Sequence, residues 1–377
     1  MRLLFFSSMR GSPWGGSEEL WAAAATEAVR AGHQVRASIF EWPQVHARLR
    51  ALADSGIGLM LRPQKRSRVL DRLRTPQWQR EIEAFAPEAV CLSQGGAYEA
   101  AGRESVHPFV RWLLGRNIPF VNVVQYNDDD DDLRAGTRSV AVALNERAHA
   151  NAFVAQRNIT QAERALRQPV PRAMVVCNPV NLVDTSALAW PAVDAPAQFA
   201  VVARLQGATK GQDLLLEALA APAWRSRDWR LTLFGEGPDA DAFASQAARL
   251  GLSERVSHPG QTTSIRAAWA PRHLLILPSR AEGTPLAMVE AMLLARPCVV
   301  TDVGGCTDWV REGVEGWVAT RATSADIGES LDRAWAARAS WRDIGLAARA
   351  RAVSMHDPAP GRTLLKVLTD AARAAPN

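Results

Sequence analysis

Residues 274–294 constrain the fold of this chain more than any other segment. Leu274-Leu275-Ile276-Leu277 is an unbroken aliphatic run closed by Pro278, which reads as a short strand with no polar face. Apolar residues then recur at helical spacing across 286–294, with Thr284 suited to an N-cap. Pro285 suits the first helical position, where its missing N–H costs nothing. A strand buried on both faces and followed at once by a helix belongs in a parallel sheet covered on both sides. The same alternation runs along the chain. Strand-like runs occur at 3–7, 34–39, 89–93, 119–124, 152–155 and 173–176, and a second set occupies 199–319 with helical stretches between them. Ser17 after the glycine-rich loop at 11–16 reads as the N-cap of a helix ending near Gly32. Residues 190–198, with Pro191 and Pro196, read as the linker between two α/β domains.

Length and composition agree with two domains. A chain of 377 residues, 47% hydrophobic, buries two sizeable cores. No apolar stretch approaches 18 residues, and the apolar opening is too short for a secretory signal, so it reads as the first strand. Cys91, Cys177, Cys298 and Cys306 lack metal-ligand or redox spacing and read as thiols in a reducing cytoplasm. A net charge of +5 suits anionic ligands or an anionic surface.

The chemistry is concentrated at the junction after residue 277. A helix N-terminus at the carboxyl end of a parallel strand is an anion site, because free N–H groups and the positive dipole end face the ligand. Glu282 lies in the connecting loop, and Glu290 lies almost two turns into the helix. A diphosphate repels two carboxylates, so their natural partners are hydroxyl groups, which donate to them in charge-assisted hydrogen bonds. A sugar and a ribose carry such hydroxyls on either side of a pyrophosphate. The junction reads as a nucleotide-sugar site.

A Glu, seven residues and a second Glu followed by Ala-Met resembles the signature of family 4 of the retaining glycosyltransferases. The resemblance implies the GT-B fold: α/β, two Rossmann-like domains with parallel sheets facing a cleft, and a C-terminal helix crossing back to the first domain. The implied bounds are 1–189 for the acceptor domain, 190–357 for the donor domain and 358–377 for the returning helix. Glu282 would face the donor sugar and Glu290 would hold the ribose, with Gly283, Thr284, Pro285 and Leu286 lining the donor site. Val201-Val202-Ala203-Arg204-Leu205 followed by Lys210-Gly211 is similar to the family's diphosphate clamp, which assigns Arg204 and Lys210 to the phosphates. Only three of the 44 lysines and arginines are lysines (Lys65, Lys210 and Lys366), which makes Lys210 stand out. Arg204 and Lys210 also have Asp213 and Glu217 as alternative ion-pair partners.

Weaker matches extend the resemblance. Gly235-Glu236-Gly237-Pro238 is similar to a glycine turn near the base, and Thr301-Asp302-Val303-Gly304-Gly305 to a second glycine loop. Asp308 stands where the family commonly has Glu. Asn178-Pro179-Val180-Asn181 is similar to an Asn-Gly-Val-Asp corner. Gly15, Gly16 and Glu18 match a glycine pair and its following acid on the acceptor side. Gln125, Tyr126 and Asn127 occupy a loop where the family often has His, so Gln125 and Asn127 become acceptor-side candidates.

Other readings compete at single motifs. The acidic run at 128–132 reads either as a divalent-cation site or as a solvated loop, and the solvated loop is favoured because the diphosphate already has cationic partners. Gly235-Glu236-Gly237-Pro238-Asp239-Ala240 matches a dinucleotide fingerprint, but no acid ends the following strand, which disfavours a dehydrogenase. No lysine is placed for a Schiff base. A buried Glu290 would require ligand hydroxyls or an Arg. Lys65, Arg66, Arg68, Arg72 and Arg74, interleaved with apolar residues within 62–80, read as a membrane-surface segment or equally as a solvated helix. The expectation is a cytoplasmic glycosyltransferase, either free or peripheral on an anionic membrane. It would use a nucleotide-sugar donor, a glycan or lipid-linked acceptor, no metal and no nucleic acid. A nucleotide-sugar hydrolase or epimerase of the same fold and a catalytically silent binding subunit are the alternatives.

Overall fold

The computed structural model describes residues 1–64, 76–96, 98–102, 106–126, 133–192, 196–262 and 264–374. It divides into two compact units, Met1–Pro179 with Asp357–Asn377, and Val180–His356. In the first unit, β1 (Arg2–Ser7), β2 (Gln34–Phe40), β3 (Gly58–Arg62), β4 (Ala89–Gln94), β5 (Phe120–Val124), β6 (Ala150–Phe153) and β7 (Ala173–Val175) form a parallel sheet in the order β3-β2-β1-β4-β5-β6-β7. Alternation in β1 sends Leu4 and Phe6 into one core with Ile82 and Phe109, and Leu3 and Phe5 into another with Trp21 and Ala24. Both faces are therefore covered, as the unbroken apolar runs require. The apolar-run reading passed over β3, an edge strand with exposed Leu61, because half of its side chains face solvent. The Gly16–Arg30 helix starts one residue before the expected cap Ser17. Extended backbone at Gly15 enters the helix directly, with no side-chain cap.

The last helix, Pro360–Ala374, places Leu364, Leu368 and Ala371 in the same core as Leu3, Phe5 and Trp21. At Gly361 a Cβ would lie 2.7 Å from the Ala23 backbone, so glycine permits this close approach to the Gly16–Arg30 helix.

In the second unit, β8 (Ala197–Val202), β9 (Trp229–Phe234), β10 (Val256–Gly260), β11 (Leu274–Leu277), β12 (Cys298–Thr301) and β13 (Gly316–Ala319) form a parallel sheet in the order β10-β9-β8-β11-β12-β13. Leu274 and Ile276 enter a tryptophan-rich core with Phe199, Trp224, Trp229 and Trp317, while Leu275 and Leu277 are buried on the opposite face. The Leu286–Leu293 helix is buried on every side from Ala287 onward, Glu290 included. It starts one residue later than expected: Pro285, with φ −64° and ψ 117°, takes the cap position in place of Thr284.

The chain joins the second unit at Val180, ahead of the 190–198 stretch. Asn181 binds Glu290, Arg296 donates to the carbonyls of Leu188 and Ala189, and Trp190 packs edge-on against His273. These ties strap residues 181–190 to the second unit. No helix among the described residues is long and apolar enough to cross a membrane.

Candidate active site

The second sheet grows from β8 in two directions, to β9 and β10 on one side and through β11 to β13 on the other. The connections leaving β8 and β11 diverge onto opposite faces, which opens a crevice at the carboxyl ends of these strands. Open α/β sheets bind their ligands at such a switch point. Arg204 and Lys210 follow β8, Gly235 and Gly237 follow β9 beside it, and Glu282, Gly283, Thr284, Pro285, Leu286 and Glu290 follow β11.

Lys210 Nζ donates to Glu282 Oε1 at 2.6 Å, and Ser279 Oγ donates to the same oxygen at 2.7 Å. Lys210 therefore pairs across the switch point rather than with Asp213 or Glu217. Asp213 is taken instead by Arg280 through a two-pronged pair at 2.7 and 2.8 Å. Arg204 joins neither cluster: its side chain is exposed and makes no hydrogen bond or ion pair among the described residues. Its carbonyl accepts Gln212 Nε2 at 2.8 Å, which anchors the loop.

Two glycines let the loops close on one another. A Cβ on Gly235 (φ +137°) would sit 2.0 Å from Ala203 O, and one on Gly304 (φ +50°) would sit 2.1 Å from Glu282 O. Gly305 N then donates to Gly283 O at 2.6 Å, so the second glycine loop props the Glu282 turn from beneath. Glu290 is satisfied in a way its helix gave no hint of. It is 2% exposed, and its Oε1 accepts from the backbone N–H of Asn181 at 2.8 Å and from Asn181 Nδ2 at 3.2 Å. This amide partner comes from the 178–181 corner.

The first unit has its own switch point, between β1 and β4, with the glycine pair beside it. Glu18 Oε1 accepts from Ser7 Oγ at 3.0 Å and its Oε2 from Trp21 Nε1 at 2.9 Å. Ser8 Oγ donates to Glu99 Oε2 at 3.0 Å. Arg62, which bounds the basic stretch in sequence, is not a surface residue. It ends β3 fully buried, donates to the Ser7 carbonyl, and lies over the rings of Phe6 at 3.8 Å and Phe40 at 4.3 Å. Burial lowers its pKa to about 9. The alternating pattern of β3 was the signal for its inward position. Gln125 follows β5 and accepts from Asn178 Nδ2 at 2.8 Å, both side chains being buried. Asn127, the 128–132 acidic run and the basic residues Lys65 to Arg74 lie outside the described residues. Among the described residues no three His, Cys, Asp or Glu side chains gather as a metal site.

Burial raises the Glu18 pKa from 4.5 to about 7, against the lowering effect of the bonds from Trp21 and Ser7. The folded protein thus holds this proton to higher pH than the unfolded chain. The resulting stability is full below pH 4.5 and is lost as pH rises through about 7. Relative to Glu18→Gln, the wild type is expected to lose about 3 kcal/mol of stability between acid and mildly alkaline pH, measured by urea unfolding. A pH-independent difference between the two proteins would contradict this.

Comparison with known proteins agrees with this geometry. Residues 196–336, which include Arg204, Lys210, Glu282 and Glu290, match the family model described as glycosyl transferases group 1. The chain is 30% identical over 166 residues to a lipopolysaccharide 1,6-galactosyltransferase of Salmonella typhimurium, covering 42% of this chain and 45% of that protein. It is 32% identical over 163 residues to a D-inositol 3-phosphate glycosyltransferase of Nocardia farcinica, covering 41% and 36%. The matched stretches thus span less than half the length of these relatives. Anabaena HepE, crystallised with UDP, superimposes with a TM-score of 0.77 at 20% identity, covering 98% of this chain and 100% of that one. The chain has the GT-B fold of two parallel-sheet α/β domains, and residues 196–336 of its second unit are similar to the glycosyl transferases group 1 family.

Proposed function

We propose that this protein transfers a sugar from a nucleoside-diphosphate donor to a hydroxyl acceptor with retention of anomeric configuration. The observation that carries the reading is the Lys210–Glu282 pair at 2.6 Å, set at the β8–β11 switch point. Among the described residues, Glu282 takes one of the three ammonium hydrogens, leaving two N–H donors for phosphate oxygens. The donor's C1–O bond to the diphosphate breaks while C1 bonds to the acceptor oxygen, and the acceptor proton passes to the departing diphosphate. Lys210, Arg204 and the N–H groups at the start of the Leu286–Leu293 helix stabilise the charge that develops there. Glu282 accepts a hydroxyl of the donor sugar, and Glu290, already oriented by Asn181, accepts the ribose hydroxyls.

Gly235 and Gly237 shape the donor pocket, while Gly15, Gly16, Glu18, Gln125 and Asn127 serve the acceptor side in the first unit. The acceptor class is a glycan or a lipid-linked sugar, as the relatives' names suggest. The site of action is the cytoplasm, with the protein either free or peripheral on an anionic membrane.

A thermal-shift screen with UDP, GDP and ADP and their sugars tests the reading directly, since binding to the folded state raises the melting temperature. Glu290→Gln is expected to weaken nucleotide binding about tenfold, because a ribose contact is made equally in ground and transition states. Glu282→Gln is expected to lower turnover with the donor still bound. Unchanged nucleotide affinity in the Glu290 variant would remove its ribose role. Sugar release without an acceptor, with no transfer when one is added, would instead identify a hydrolase.

With its diphosphate held by cations and a helix terminus, the enzyme requires no metal. Activity is expected to survive excess EDTA. Loss on chelation, restored by Mg²⁺ or Mn²⁺, would return the 128–132 aspartates to a metal role.

A further inference from the structure

We infer that Arg280 and Asp213 form a positioning pair that holds the Lys210 loop in register with the Glu282 turn, without touching substrate. The inference rests on the transfer reading above and deepens it. Arg280 stands two residues before Glu282, and Asp213 stands three residues after Lys210. The guanidinium grips both carboxylate oxygens, at 2.7 and 2.8 Å, and Nη1 also reaches Gly207 O at 2.5 Å.

The backbone repeats the tie. The amides of Arg280 and Ala281 donate to Thr209 O at 2.9 and 3.2 Å, and a Cβ on Gly211 (φ +65°) would lie 2.0 Å from Pro278 O. Lys210 is thus clamped from both sides by groups belonging to the Glu282 turn. A planar bidentate fork sets distance and angle together, which a lysine in its place would not do. The pair is about one-third exposed on each side, so it contributes little to global stability and its removal should act on geometry first.

The experiment compares Asp213→Asn and Arg280→Lys with the wild type, alone and in the Lys210→Ala background. Each single variant is expected to lower kcat about tenfold, with the donor KM within about threefold, since small misplacement of a catalytic group slows chemistry more than binding. Without the ammonium the register between loop and turn matters far less, so the same substitution should lower residual turnover less than about twofold. Equal losses in both backgrounds would overturn the inference.

Wild-type turnover and the Lys210→Ala variant alone judge the transfer reading. Hydrogen exchange judges the pair independently of any activity: Asp213→Asn should speed exchange of the Arg280 and Ala281 amides about tenfold. Unchanged exchange at these amides would overturn the inference even in an active enzyme.

Discussion

Lys210→Ala is expected to lower kcat/KM for nucleotide-sugar turnover by roughly 30- to 1,000-fold, equivalent to ~2–4 kcal/mol of transition-state stabilisation. In the proposed mechanism the charge that grows during bond cleavage is on the departing diphosphate, and the ammonium is the partly buried cation directed at it. Removing it also leaves the Glu282 carboxylate, only 8% exposed, with the Ser279 hydroxyl as its remaining side-chain partner among the described residues, at 2.7 Å. An unpaired buried carboxylate next to a diphosphate repels it, so binding should weaken along with chemistry. The test is steady-state kinetics with the donor selected by the thermal-shift screen, and turnover within threefold of wild type would remove Lys210 from the mechanism.

Gly304→Ala is expected to abolish activity and to cost about 2–3 kcal/mol of stability, because an added methyl overlaps backbone that has nowhere to go. The overlap is with the Glu282 carbonyl at 2.1 Å and the Gly283 carbonyl at 2.5 Å, so relief moves the Glu282 turn itself. Gly313→Ala is the matched control. It shares a positive φ, +72°, but has no heavy atom within 4 Å of the added carbon. The control should lose about 1 kcal/mol from backbone strain and keep its turnover. Similar activity losses in both variants would show that strain, and not the contact with Glu282, is responsible.

What was legible in the sequence was whatever local pattern writes. Aliphatic runs such as 274–277 could only be strands without a polar face, and the alternation with helices implied parallel sheets. Glu282, Lys210 and the glycines stood in loops whose position at strand ends followed from that alternation. What was not legible depends on pairings distant in sequence. Nothing near Glu290 foretold that Asn181 would satisfy it, and nothing near Asp213 foretold Arg280. A charged residue inside an apolar helix announces a need for a partner but not its identity. The surroundings of Arg62 were hidden for the same reason. Its neighbours in sequence are basic, whereas its neighbours in space are two aromatic rings and the backbone of β1 and β2. The helix starts at Gly16 and Leu286 differ from expectation by two residues and by one, because glycine and proline caps leave no side-chain signature.

The return of the Pro360–Ala374 helix to the first core has a consequence for biosynthesis. Every residue of the Val180–His356 unit leaves the ribosome before Leu364 and Leu368 do, yet those two leucines fill space beside Leu3, Phe5 and Trp21. The unit that begins the chain is therefore the one completed last. During translation its sheet waits with part of one apolar face uncovered while the second unit is already whole. A chain ending after residue 356 would hold a complete second unit tethered to an unfinished first one, the species that chaperones and proteases would meet first.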